Sequence, residues 1–173
     1  MAVLRREFDE VEYTRQIYCL GMYYNNALLG IEANFSTYPI RELERLGYTY
    51  QFVREEEDTY TGKLAKRLGF KTSSISRPRI LAGLQTIVLE HSNLLNDKDT
   101  MEEMLVFVRN EKGRPEAKEG EHDDLVMGLA IAYDIREQQR FTLAPLPVQN
   151  AFRDDFKTRP VYSGDYGSYI EVV

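Results

Sequence analysis

Glu121, His122, Asp123 and Asp124 place three carboxylates and an imidazole in one short run, just after Gly120. The run leads into Leu125-Val126-Met127-Gly128-Leu129-Ala130, an unbroken apolar and small-residue stretch. At a helix start, free backbone N–H groups and the helix dipole favour negative charge, so Glu121, Asp123 and Asp124 fit a first turn. Capping alone accounts for a single Asp at such a start. Two adjacent Asp after a His also suit a hard divalent cation, which wants clustered carboxylate oxygens held by a rigid element. The residue types leave capping and metal binding both open.

The helix that would carry these groups is expected to run to about Gln139. Leu125, Leu129 and Ala132 recur down one face, with Val126 and Met127 widening the stripe. Gly128, Ala130 and Ala132 are small enough for the helix to lie close to a sheet. Upstream, Val11, Ile17, Tyr18, Leu20, Gly21 and Tyr24 fit a helical stripe over 10–26, ended by Asn25-Asn26. Ala27-Leu28-Leu29-Gly30-Ile31 then reads as a strand buried on both faces, as in a parallel sheet. Glu32 stands at its carboxyl end, where open α/β sheets place their ligands. A helix over Tyr38–Leu46, closed by Gly47, and a strand over 48–53 continue an α/β rhythm.

The chain has 173 residues, 43% of them apolar, and a net charge of −6, enough for one domain with a core. Its single cysteine, Cys19, rules out an internal disulfide or a thiolate zinc site and reads as packing. No apolar run approaches membrane-spanning length, and the first residues do not lead into a signal-peptide core, so an intracellular protein with no membrane contact is expected. The run Glu55-Glu56-Glu57-Asp58 reads as a solvated loop.

Charge then reverses. From Thr59 to Leu89 the charged residues are Lys63, Lys66, Arg67, Lys71, Arg77 and Arg79, with no acid. An ordinary basic surface accounts for them. Phosphate-backbone binding accounts for them too, and the hydroxyls of 72–76 beside Lys and Arg suit phosphate oxygens. Pro78 fits the first turn of an amphipathic helix over 78–91, with His91 at its C-terminal end. Asp99-Thr100-Met101-Glu102 can cap a further helix, with Met104, Leu105 and Phe107 inward and 106–109 drifting toward a strand. Residues 110–119 read as a turn or loop. Past Arg140, Pro145, Pro147, Pro160, Gly164 and Gly167 break any period, so 141–173 is expected to be a C-terminal tail behind a domain spanning 1–140.

Leu29-Gly30-Ile31-Glu32-Ala33-Asn34 taken with Gly120-Glu121-His122-Asp123-Asp124-Leu125-Val126-Met127 resembles the C-terminal nuclease domain of the large terminase subunit. That subunit is the DNA-packaging protein of tailed bacteriophages. Arg77-Pro78-Arg79 opening a helix and Met101–Val108 between the two segments add to it, the Glu32-Ala33-Asn34 segment agrees in order and distance, and the resemblance covers about residues 10–138. It implies a ribonuclease-H-like mixed sheet flanked by helices, and a metal-dependent endonuclease that cuts double-stranded DNA during genome packaging. It also implies two Mg²⁺ or Mn²⁺ ions held by clustered acids.

Carried over, Glu32 is the middle acid and Asp123 and Asp124 the final pair, with His122 able to orient a ligand or phosphate. Lys63, Lys66, Arg67, Lys71, Arg77 and Arg79 would lie near the DNA backbone. The family's first catalytic Asp sits on a strand ahead of the helix matched here by 10–26. Only nine residues stand there, and Asp9 and Glu10 fall at a helix start. The resemblance therefore implies a nuclease domain, N-terminally incomplete, whose inner strand around Ile31 has a bare pairing edge. A terminase, portal or missing N-terminal segment, a second copy, residues 1–9 or the tail would cover it. A non-catalytic DNA-binding or assembly module of the packaging machinery is the alternative. The resemblance places either in the cytoplasm of an infected or prophage-carrying bacterium. The ATPase half is not expected: Gly62-Lys63 is followed by Leu64 and fails the phosphate-loop pattern.

Overall fold

The computed structural model describes residues 3–57, 62–110 and 113–139. The expected tail 141–173 lies outside the described residues, as does Asp58. Helix α1 spans Glu10–Tyr23 and opens on Asp9, whose side chain accepts the Glu12 N–H at 2.8 Å. It stops short of the expected Asn26. Asn25 and Asn26 take left-handed φ values of 61° and 57°, a conformation Asn tolerates and few other side chains do. Gly21 is buried because α1 rests on Tyr48: a Cβ there would sit 2.8 Å from ring atom Cε2. The Tyr48 hydroxyl donates to the Ala27 carbonyl, so one buried phenol ties α1 to the chain that follows it. Cys19 is half-buried, and burial pushes its thiol up, helped by Glu12.

Residues 28–33 run extended along two partners. Leu29 bridges Gln51 and Glu32 bridges Phe70, both in parallel sense. Leu29 N–H donates to Tyr50 O at 3.1 Å and Phe52 N–H to Leu29 O at 2.8 Å. Phe70 N–H donates to Ile31 O and Ala33 N–H to Phe70 O, each at 2.7 Å. The expected inner strand is therefore present as parallel bridges. Helix α2, Tyr38–Arg45, lies between, with Gly47 beyond it at φ 81°.

The expected strand over 48–53 is displaced. Of it Gln51 bridges Leu29 and Val53 opens β1, which runs Val53–Glu57 and takes in most of the acidic run read as a loop. β1 pairs antiparallel with β2, Leu64–Leu68, in the register Glu55↔Lys66 and Arg54↔Arg67. Glu55 opposite Lys66 stabilises the hairpin, and the like pair Arg54 and Arg67 is offset because both guanidinium groups reach Glu56, at 3.4 and 3.6 Å.

Helix α3 is Ser76–Glu90 and α4 is Lys98–Leu105. A small hairpin follows, β3 Phe107–Arg109 against β4 Pro115–Ala117, where a loop was expected over 110–119. Helix α5 is Asp124–Ile135, closed by a 3-10 turn, Arg136–Gln138. The core joins Phe70, Ile80 and Leu84 to Val126, Met127, Ala130, Ile131 and Ile135. The buried face of α5 is thus not the expected one. Ala132 and Gly128 are exposed, and Leu125 and Leu129 only half-buried, because α3 packs against the Val126–Ala130 side. On α4, Met104 packs on the core and Leu105 points out. The architecture is mixed α/β with two small antiparallel sheets. No described helix is long and apolar enough to cross a membrane.

Candidate functional site

The acid-rich entry of α5 is held from three sides. Asp123 stands at the cap position without capping. Its carboxylate instead accepts from Arg77 Nη2 at 2.5 Å, both side chains being half-buried. Arg77 also donates to the Pro115 carbonyl at 3.4 Å, so the start of α3, the start of α5 and β4 meet at one guanidinium. The cap is supplied from elsewhere. Glu103 of α4 is buried, and its Oε2 accepts the Leu125 N–H at 2.8 Å and the Val126 N–H at 3.3 Å. Arg5 approaches its other oxygen at 3.5 Å. A carboxylate on two free N–H groups at a helix start is a charge-assisted cap.

Sequence reasoning missed Glu103. The signal was an acid three residues after buried Thr100, on the inward face of α4. The expected cap at Asp99 hid it; the structure caps α4 with Asp97, which accepts the Thr100 N–H at 2.8 Å and hydroxyl at 2.7 Å.

Asp124 occupies the first turn and is exposed. Its charge reaches Tyr13 of α1, whose phenol is pushed up first by partial burial and then by that carboxylate. Glu121 falls outside the helix, and Glu121 and His122 are exposed. His91 is exposed at the end of α3, an end residue as expected.

Glu32 is half-buried. Its face follows from its neighbour. A Cβ on Gly30 would meet Ile135 and lie 3.7 Å from Ile131 Cγ2, so residue 30 looks at α5. Side chains alternate along an extended chain, which puts Leu28 and Glu32 on that same face. Leu28 indeed packs on the α5 core, and its N–H bonds Gln139 at 2.8 Å, so the helix runs back along the strand. Two residues of strand advance about 6.6 Å, roughly four residues of helix, which brings Glu32 within about a turn or two of Asp124 along the axis. Among the described residues neither Glu32 nor Asp124 forms an ion pair.

The basic stretch is largely neutralised where it folds. Glu56 holds Lys71 at 3.0 Å, Arg67 at 3.6 Å and Arg54 at 3.4 Å, and Lys71 foremost lowers its pKa. Arg77 is held by Asp123, and Arg79 makes two bonds to Asp134, at 2.7 and 3.0 Å. Lys66 faces Glu55 across the hairpin. Lys63 is exposed and also engaged. The acids that balance these cations come from β1 and from α5, segments outside 59–89, which is why a linear charge count overstates the patch.

Two divalent cations are not matched by what the described residues bring together. Among them no group of three or more His, Cys, Asp or Glu side chains is close enough to hold a metal ion, and Asp123 is already engaged by a guanidinium. Comparison with protein-family models, with curated proteins and with solved structures returned no match.

Proposed function

We propose that the chain is part of a metal-dependent endonuclease domain of the terminase type. In it Glu32, Asp123 and Asp124, with His122 beside them, contribute acids to a ribonuclease-H-like centre acting on double-stranded DNA during phage packaging. The observation that carries the reading is the placement of Glu32. Alternation from Gly30 puts it on the α5 face of the parallel-bridged strand, and the course of the helix puts it toward the end of α5 where the two Asp stand. The order of these acids along the chain, and the strand edge left open beside them, also support it. Under this reading the Mg²⁺ or Mn²⁺ centre is completed by a further acid from outside the described residues. The chain would work in the bacterial host cytoplasm beside terminase or portal partners.

Supercoiled plasmid incubated with the protein and Mn²⁺ tests the proposal. Nicking that Asp124→Asn and Glu32→Gln each reduce by at least about tenfold is the expected result. Nicking indifferent to both substitutions, or none at any protein concentration, removes it.

The second reading, a non-catalytic DNA-binding or assembly module, is favoured by one contact: the Arg77–Asp123 pair, which takes an acid out of metal-binding play. It expects duplex binding that falls steeply with salt and no cleavage. The slope should flatten when Lys66, Arg67 and Lys71 are neutralised together; a slope unchanged by that triple substitution rules the patch out.

A further inference from the structure

Two acids at the mouth of α5 are met by arginines from distant segments, Asp123 by Arg77 at 2.5 Å and Glu103 by Arg5 at 3.5 Å. The chain thus brings its own cations to the place where its acids gather. The two pairs are not alike. Glu103 is 7% exposed and serves the backbone, since its Oε2 accepts from Leu125 and Val126. Its Oε1 is buried and accepts no hydrogen bond among the described residues, so the mouth still carries unmet negative charge.

The Arg77 pair is built to exchange. Asp123 stands at the cap position and caps nothing, so it can change partners without unwinding α5. Arg77 spends a single nitrogen there. Its Nη2 reaches both Asp123 and, at 3.4 Å, the Pro115 carbonyl, while Nε and Nη1 have no hydrogen-bond partner among the described residues. The contrast is with Arg79, whose two terminal nitrogens are both taken by Asp134. A guanidinium is a planar fork, and a fork half used can take a second anion on its open side. With 29% of the Arg77 side chain and 26% of the Asp123 side chain exposed, that anion can arrive from solvent. No acid lies between Thr59 and Leu89, the stretch that carries Arg77, so a polyanion meets no repulsion from that segment.

We infer that Arg77 is a latch with two anionic partners: Asp123 in the free chain, and a backbone phosphate when duplex DNA is bound. The inference rests on the endonuclease reading above and adds a coupling to it. A guanidinium and a divalent cation compete for one carboxylate, so Asp123 is open to a cation only while phosphate holds Arg77. The described residues accordingly bring no metal-sized cluster of acids together in the free chain. Linkage makes the effect reciprocal: whatever factor DNA adds to cation affinity, the cation adds to DNA affinity. A latch closed about ten times as often as it is open lowers the apparent cation affinity of the free chain about tenfold.

Mn²⁺ broadening of backbone amide signals in the full-length chain tests this, with a short duplex as the DNA and gels to confirm that it stays intact during the measurement. The signals to follow are those of Glu32 and of residues 123–126. Arg77→Gln should reach half-broadening at about one tenth of the Mn²⁺ the parent needs. The duplex should lower that requirement in the parent and leave Arg77→Gln where it was. DNA takes up Mn²⁺ itself, equally in both arms, so the difference between them is the readout.

A second measurement does not need the Arg77 variant to fold. In EDTA, Asp123→Asn, which frees the guanidinium, should bind the duplex severalfold tighter than Asp124→Asn, which removes the same charge from an acid that forms no ion pair among the described residues. Equal duplex affinity in those two, an Arg77→Gln chain that needs as much Mn²⁺ as the parent, or a duplex effect that survives in Arg77→Gln would each overturn the latch and leave the endonuclease reading standing. Broadening of these amides in no variant, with or without duplex, would overturn the latch and, with plasmid left un-nicked, the endonuclease reading as well.

Discussion

Two acid-rich segments lie in this molecule, and the fold treats them differently. At the β1–β2 hairpin, Glu56 gathers Lys71, Arg67 and Arg54 on an exposed surface. At the mouth of α5, Asp123 is met by Arg77, and Glu103 enters from α4 to hold the backbone. The hairpin acids are balanced by basic side chains from their own ladder and from the strand end after it. The α5 acids are balanced only in part: Arg77 is the cation on Asp123, and Asp124 and Glu32 form no ion pair among the described residues. Charge clustered on a hairpin thus reads as architecture. Charge left over at the end of a buried helix, on the face where an inner strand ends, is what a site requires.

The largest effect separating the two regions belongs to Glu103. Glu103→Ala removes a buried acceptor from two N–H groups of α5 and leaves them without a protein partner. A loss of about 2–3 kcal/mol in urea unfolding is expected. Glu103→Gln keeps an acceptor oxygen and should lose less than half as much. If both variants unfold like the parent, α5 does not depend on this cap and the contrast with the hairpin fails.

Next comes Arg77. Arg77→Gln leaves the half-buried Asp123 carboxylate without its cation, a cost of about 1–2 kcal/mol, between the surface and the buried limits for an ion pair. The double variant with Asp123→Asn should recover most of it, because the uncompensated charge is gone. A double variant no more stable than Arg77→Gln would mean that Arg77 acts through its Pro115 contact instead. Gly30→Ala sharpens the same region from the strand side. Its Cβ would run into the far end of Ile135, so the core must give way, at about 1–2 kcal/mol by the usual cost of overpacking.

These variants also mark what was legible beforehand. The helices were, because their periodicity and stops are local: Asn25-Asn26 ends α1 and Gly47 follows α2 as read. The parallel character of the bridges at Leu29 and Glu32 was legible from the apolar run Ala27–Ile31. The hairpin was not, since Glu55-Glu56-Glu57 becomes a strand only when β2 brings Lys66 opposite Glu55 and Arg67 within reach of Glu56. The buried face of α5 was misread because a helix apolar on nearly every side has no weak face, and packing by α3 chose it. Among the candidate residues, Asp123 and Asp124 stand out by residue type and Glu32 by its place at a strand end, the resemblance groups the three, and the strand alternation adds only which face Glu32 takes. Glu103 and the Arg77 contact are long-range pairings between segments, which no local pattern carries.

The smallest effect is expected at the hairpin, and it depends on pH. The Lys71 hydrogen bond and charge, with Arg54 and Arg67 behind them, hold the Glu56 carboxyl below its ordinary value. A carboxylate whose pKa is lower folded than unfolded stabilises above its unfolded value, and that contribution fades as pH falls through the folded one. Glu56→Gln should therefore melt slightly below the parent at neutral pH, and the gap should close on acidification below the usual carboxylate range. Added salt should narrow it too, since the group is exposed to screening. At the α5 mouth the loss on Glu103→Ala arises from backbone N–H groups left bare and should resist salt. A hairpin variant indifferent to salt and acid would show that Glu56 acts by packing, and the distinction between the two acid clusters would then need another basis.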